Sequence, residues 1–157
     1  MAVRSSQEDA GVQGEGVVVS EDLLRLVETE LLPALDSDFH VVSSEVSESF
    51  DNANVELQSP GLRIRVVRER GRVFADFGPV SEPNTWFDSA VLIDYLGLSP
   101  DAGFHDRDAR RVLHGIAAFV TSLFSELREK FDPQHLAATK RDLEALMKER
   151  AAKLFGS

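Results

Sequence analysis

The first hydrophobic period in the chain follows Ser20. Leucine and valine recur there at intervals of three and four residues, from Leu23 to Leu32, which is the spacing of one face of an α-helix. Ser20 is a good helix-capping residue, whereas Pro33 lacks the backbone donor that would continue the helix. The pattern predicts a helix from Ser20 to about Pro33, preceded by a flexible tail over residues 1–19.

Beyond Phe39 the period changes to two. Polar and apolar residues alternate there over four stretches, which predicts strands at 39–49, 53–58, 62–69 and 72–77. The links at Pro60-Gly61 and Arg70-Gly71 are short turn pairs, so neighbouring strands must run antiparallel. A two-residue turn at Arg70-Gly71 also fixes a register in which Glu69 faces Arg72 and Arg65 faces Asp76.

Helical spacing returns in the second half of the chain. Residues 86–96 predict a short aromatic helix that is capped by Asn84 or Thr85 and ended by Gly97. Two longer apolar stripes predict helices at about 106–131 and 133–155, joined by Asp132-Pro133.

Together these elements predict an α+β fold in a single domain over residues 20–157. The predicted order is an N-terminal helix, a four-stranded antiparallel β-meander, a short aromatic helix and two C-terminal helices packed as a hairpin. The order of a helix followed by a meander is loosely similar to secretion chaperones, although the long helical C-terminus departs from their mixed order.

Composition narrows the function classes. The chain has no cysteine, which excludes disulfides and thiolate chemistry, and it carries a formal net charge of −10. No apolar run is long enough to span a membrane, and the N-terminal residues lack the apolar core of a secretory signal. We therefore expect a cytoplasmic protein that binds no membrane and that is a poor general nucleic-acid binder.

The arginines within residues 62–72 run against the acidic composition, since five of them lie in this stretch. An anion or nucleic-acid site on the hairpin 62–77 would use Arg63, Arg65, Arg72 and Phe74, because strand platforms combine cations with stacking aromatics. This face has one aromatic residue where two or three are typical, and acidic residues interrupt it. A solvated, charged sheet face is the favoured interpretation, and a nucleic-acid or nucleotide binder is the alternative.

Catalytic motifs are missing from the sequence. It contains no glycine-rich phosphate loop and no nucleophile elbow, and its four histidines share no ligand spacing. Asp36, Asp38 and His40 are the best metal candidates, but the same residues serve as turn residues between a helix and a strand. We predict no enzyme, no cofactor and no metal site, with a metal-assisted hydrolase as a further alternative.

The prediction that remains is a non-catalytic domain that binds another protein or a second copy of itself. Small size and acidity suit an immunity protein, a neutralising factor or a secretion-chaperone-like factor. The candidate partner-binding residues are an apolar stripe on the last helix and two aromatic residues of the short helix, namely Leu136, Leu143, Leu146, Met147, Leu154, Trp86 and Tyr95.

Overall fold

A computed structural model describes residues 22–35, 38–47, 52–99 and 107–155 of the chain. The described residues form a five-stranded antiparallel sheet and four helices, which confirms the α+β class. The strands are β1 (His40–Val46), β2 (Ala53–Gln58), β3 (Arg63–Glu69), β4 (Arg72–Gly78) and β5 (Phe87–Asp88), and the helices are α1 (Leu23–Leu26), α2 (Ser89–Tyr95), α3 (Ala109–Lys130) and α4 (Leu136–Leu154). The predicted tail at residues 1–19 and the predicted cap at Ser20 lie outside the described residues.

The sheet is a simple meander in which each strand pairs with the next one in sequence. The β3–β4 hairpin has the predicted register, with Glu69 opposite Arg72 and Arg65 opposite Asp76. Its turn residues, Arg70 and Gly71, have φ values of 53° and 81°, as a two-residue hairpin of type I′ requires.

The fifth strand was not predicted. Phe87 and Asp88 pair with Phe77 and Asp76 of β4, so the segment expected to begin a helix first adds two residues to the sheet. Asp88 then caps α2 by accepting a hydrogen bond from the Ala90 amide at 2.6 Å. The prediction that Asn84 or Thr85 caps this helix was therefore wrong, because strand pairing delays the helix by several residues.

The hydrophobic core lies between one face of the sheet and the helices. On that face the strands present an apolar surface that includes Val55, Ile64 and Phe77, and all three side chains are buried. Phe77 packs against Phe119 of α3, with ring centroids 5.3 Å apart. The opposite face of the sheet, called the open face below, carries mainly polar and charged residues.

The N-terminal helix is short and irregular. Asp22 caps α1 by accepting from the Leu24 amide at 3.1 Å, and the chain continues through a π-helical turn (Val27–Leu31) and a 3₁₀ turn (Leu32–Ala34). The 3₁₀ turn contains Pro33, which has no backbone N–H to donate to the preceding turn and therefore cannot continue the helix.

The two C-terminal helices begin where capping residues place them. Asp108 caps α3 by accepting from the Arg110 amide at 2.9 Å. The hairpin packing of the two helices differs from the prediction in one respect, since α4 lies mainly against α2 rather than back along α3. A hydrogen bond from the Thr139 hydroxyl to the Lys130 carbonyl, at 2.6 Å, holds the start of α4 at the end of α3. Among the helices described, none is both long enough and apolar enough to cross a membrane.

Candidate functional site

Two arginines of β3, Arg63 and Arg65, form an organised polar cluster on the open face. Arg63 is buried, donates to the Pro83 carbonyl at 2.6 Å and forms an ion pair with Glu56. Arg65 donates two hydrogen bonds to Asp76, at 3.1 and 2.8 Å. These arginines therefore meet acidic partners within the sheet itself.

Trp86 joins the two arginines to the segment that links β4 and β5. The guanidinium carbons of Arg63 and Arg65 lie 4.9 and 4.6 Å from its ring centroid, distances at which a cation is attracted to an indole. Trp86 is thus packed under cationic side chains and is half-buried.

The linking segment, residues 79–86, is called the strap. Gly78 allows it to approach the sheet, because a Cβ atom there would lie 2.2 Å from the Thr85 carbonyl oxygen. At its middle, Glu82 accepts hydrogen bonds from Lys140 of α4 at 2.8 Å and from Thr85 at 3.0 Å. These two hydrogen bonds lower the pKa of the Glu82 carboxyl. The strap covers the end of the open face that holds Arg63.

The other end of the open face, called the bare end below, is exposed within the part of the chain that the structure describes. Phe74 is 46% exposed there and lies opposite the half-buried Val67. Beside this pair is a groove of about 520 Å³ between β4 and the first turn of α2, called the β4 groove. Its lining comprises Asn54, Arg65, Val67, Glu69, Arg72, Val73, Phe74, Ala75, Asp76, Asp88, Ser89 and Ala90.

Two aspartates meet at the closed end of the β4 groove, since Asp76 and Asp88 are directly opposite on β4 and β5. Burial raises the pKa of Asp76, the hydrogen bond and charge of Arg65 lower it, and the charge of Asp88 raises it further, so that the net shift is upward. The site therefore holds two acidic groups on adjacent strands, one of which is hydrogen-bonded to Arg65.

The partner-binding residues predicted on α4 divide into two groups. Leu136 and Leu143 are buried in the core, and Leu146 is half-buried against it, so a partner of the folded chain cannot reach the first two. Met147 and Leu154 are exposed, by 38% and 80%. The stripe is thus continuous in sequence but is shared between the core and the surface.

The two predicted aromatic anchors have structural contacts. Trp86 stacks with arginines, and the Tyr95 hydroxyl donates to Asp142 of α4 at 3.3 Å while Lys130 lies 5.5 Å from its ring centroid. Tyr95 therefore helps to hold α2 against α4. Trp86 was predicted in the short helix, but α2 begins at Ser89 and Trp86 precedes the strand residue Phe87. Side chains alternate along an extended chain, and this alternation is the sequence signal that could have located Trp86 opposite the buried Phe87.

The predicted metal candidates do not form a described site. Asp36 lies outside the described residues, while Asp38 and His40 are exposed. Within the described part of the chain, no group of three or more histidine, aspartate or glutamate side chains is arranged to hold a metal ion.

Comparisons with known proteins assign no function to this site. No protein-family model, curated protein or solved structure matches this chain.

Proposed function

We propose that this chain is a non-catalytic domain that binds another protein through the bare end of its open sheet face. The observation that carries the proposal is the exposed Phe74 beside Val67, next to the β4 groove and surrounded by charged side chains. A small apolar centre with a polar rim is the usual anatomy of a protein-binding surface. Mutation of such a centre has a larger effect on binding than mutation of its rim.

The ionisable groups near the groove have structural roles that support a binding function over a catalytic one. Asp76 is hydrogen-bonded to Arg65, and Asp88 caps α2. Each carboxylate therefore already stabilises the fold, so its presence beside the groove has an explanation that requires no substrate.

The ion pairs weigh against the nucleic-acid alternative. Arg63 and Arg65 are matched by Glu56 and Asp76, so of the four predicted anion-binding residues Arg72 and Phe74 are the ones that extend from the bare end. Phosphate binding depends on several cations that release counterions, and this face offers alternating charges instead.

The net charge of −10 favours a basic partner, as would suit an immunity or neutralising factor or a secretion-chaperone-like escort. A homodimer and a cytoplasmic location stay predictions.

The proposal is tested by affinity capture from a lysate of the source organism, in parallel samples with and without nuclease treatment. The bait proteins are the wild type, Phe74→Glu and Met147→Glu, which place the same charge at residues with 46% and 38% exposure on two different surfaces. We expect a specific protein that wild type and Met147→Glu retain, and that Phe74→Glu loses. The reverse result would assign the interface to α4, and material lost on nuclease treatment would favour nucleic acid.

A further inference from the structure

The outer edge of β4 is only partly paired. β5 covers Asp76 and Phe77 and then turns into α2, although β4 extends back to Arg72. Within the described residues, no other strand pairs with Arg72–Ala75 on that side. This stretch of edge forms one wall of the β4 groove.

The backbone groups on this edge point into the groove. Arg72 and Phe74 are in register with Glu69 and Val67, and in a two-residue hairpin these are the residues whose backbone bonds lie between the two strands. The intervening residues, Val73 and Ala75, therefore direct their N–H and C=O groups away from β3. Their side chains are buried in the core, which holds these backbone groups in place.

The opposite edge of the sheet is built differently. The register of β1 shifts between Val41 and Ser43, which marks a bulge in that strand. Bulges at edges interrupt the regular row of donors and acceptors and oppose pairing with another chain. The bulge makes the β1 edge a poor template for pairing with an added strand. The β4 edge has no such register shift and is the better template.

The groove has one acidic group in excess. Arg65 is bonded to Asp76, and Arg72 faces Glu69 across the hairpin, which leaves Asp88 without a cationic partner among the described residues. A strand that continues the line of β5 would place one of its side chains opposite Phe74, two positions along from Asp88. A cation there would meet both the carboxylate and an exposed aromatic ring.

We infer that the β4 edge accepts an extended segment of a partner protein as an additional strand. The segment carries a lysine or arginine opposite Phe74, and small or apolar residues on either side of it, because those flanking side chains would share the face of the buried Val73 and Ala75. This inference rests on the proposed function and specifies how the partner is held, with backbone hydrogen bonds for affinity and the Asp88–Phe74 pair for selectivity.

The test uses the full chain and short synthetic peptides. The first peptide has an arginine between two valines with threonines outside them; the second replaces arginine by glutamine; the third carries N-methyl groups on the amides that would face β4. Amide NMR spectra of the protein are followed during titration. We expect the Val73 and Ala75 amide protons to shift downfield and exchange more slowly with the arginine peptide, and the N-methylated peptide to have no such effect.

Asp88→Asn provides the matched protein variant, because asparagine still caps a helix while it removes the charge. The preference for the arginine over the glutamine peptide should fall by up to about 5-fold in this variant, which is the scale of one exposed ion pair, while the contact with the Phe74 ring is kept. An unchanged preference would overturn the assigned role of Asp88.

Several results would overturn strand addition. One is the absence of saturable shifts at millimolar peptide, and another is binding that leaves the Val73 and Ala75 amides unchanged. Shifts of these amides that depend on protein concentration alone would identify a second copy as the occupant instead. If Phe74→Glu still abolishes capture of the cellular partner while these amides do not respond, the proposed function survives and strand addition does not.

Discussion

The two ends of the open sheet face show how the same residue types can have different roles. At the strap end, Arg63 is buried, and Trp86 and the Pro83 carbonyl lie against it. At the bare end, Arg72 and Phe74 extend from neighbouring positions of β4 toward solvent. The strap end has the contacts expected of a part of the folded core, whereas the bare end leaves its side chains available to a partner. Mutations should therefore affect stability at one end and binding at the other.

The largest expected effect is a difference in stability between mutations on the buried face and on the open face of β4. Phe77→Ala removes a fully buried ring that packs on Phe119, and we expect it to lower the free energy of unfolding by about 3–5 kcal/mol. Phe74→Ala removes a half-exposed ring of the same strand and should cost less than about 1 kcal/mol. Urea denaturation of both variants makes the comparison. Equal losses would show that Phe74 belongs to the stabilising core.

The second prediction compares arginines at the two ends. Arg63→Ala leaves the Glu56 carboxylate and the Pro83 carbonyl without their donor, so we expect a loss of about 2–4 kcal/mol in unfolding free energy. Arg72→Ala, the control, should stay within about 0.5 kcal/mol of the wild type. Thermal and chemical denaturation measure both. A neutral Arg63→Ala would mean that the ion pair with Glu56 and the hydrogen bond to the Pro83 carbonyl together give no net stabilisation.

The third prediction concerns the approach of the strap to the sheet. Gly78→Ala places a Cβ atom against the Thr85 backbone, and we expect a loss of about 1–3 kcal/mol. Gly61→Ala is the control, because its new Cβ would meet only the flexible Arg128 side chain and should cost less than about 1 kcal/mol. The fluorescence of Trp86, the only tryptophan, reports displacement of the strap. Unchanged fluorescence and stability in Gly78→Ala would contradict this packing.

The smallest expected effect is on how the free energy of unfolding depends on pH, for which Asp76 and Glu82 should contribute with opposite signs. Burial raises the pKa of Asp76, so its favourable contribution is present at low pH and is lost as pH rises through the raised pKa. Hydrogen bonds from Lys140 and Thr85 lower the pKa of Glu82, so its contribution is present above the ordinary glutamate pKa and is lost as pH falls. Unfolding curves of wild type, Asp76→Asn and Glu82→Gln across the acidic range measure both.

As pH rises through that range, we expect the wild type to lose stability relative to Asp76→Asn and to gain it relative to Glu82→Gln. A common sign for the two variants would show that one of these carboxylates has a different environment in solution. Both effects are expected to be small. Arg65 partly cancels the upward shift in the pKa of Asp76, and Glu82 is half-exposed to water.

Much of the sheet was predictable from sequence. The turn at Arg70-Gly71 admits one register, and that register correctly paired Arg65 with Asp76. Of the candidate sites, the hairpin residues were placed on the correct face, but the sequence treated Arg63 and Arg72 alike. Their difference comes from the strap, which reaches Arg63 from twenty residues away along the chain.

The division of the α4 stripe has a similar origin. Leu143 and Leu154 have the same side chain on the same helix, and the first is buried whereas the second is 80% exposed. A helical pattern identifies which residues share a face, but it does not state how far along the helix the neighbouring element extends. The packing of α4 on α2 sets that limit.

The sequence by itself determined the elements whose formation depends on near neighbours. These are the antiparallel strands with their turns, the α3 helix with its Asp108 cap, and the separation of an apolar from a charged face in the hairpin. Only the tertiary structure decided that β5 precedes α2, that Arg63 is buried beneath the strap and that the edge of β4 stays open. The physical reason is that turn geometry and alternation act over a few residues, whereas burial and edge pairing depend on which distant segment arrives to compete with water.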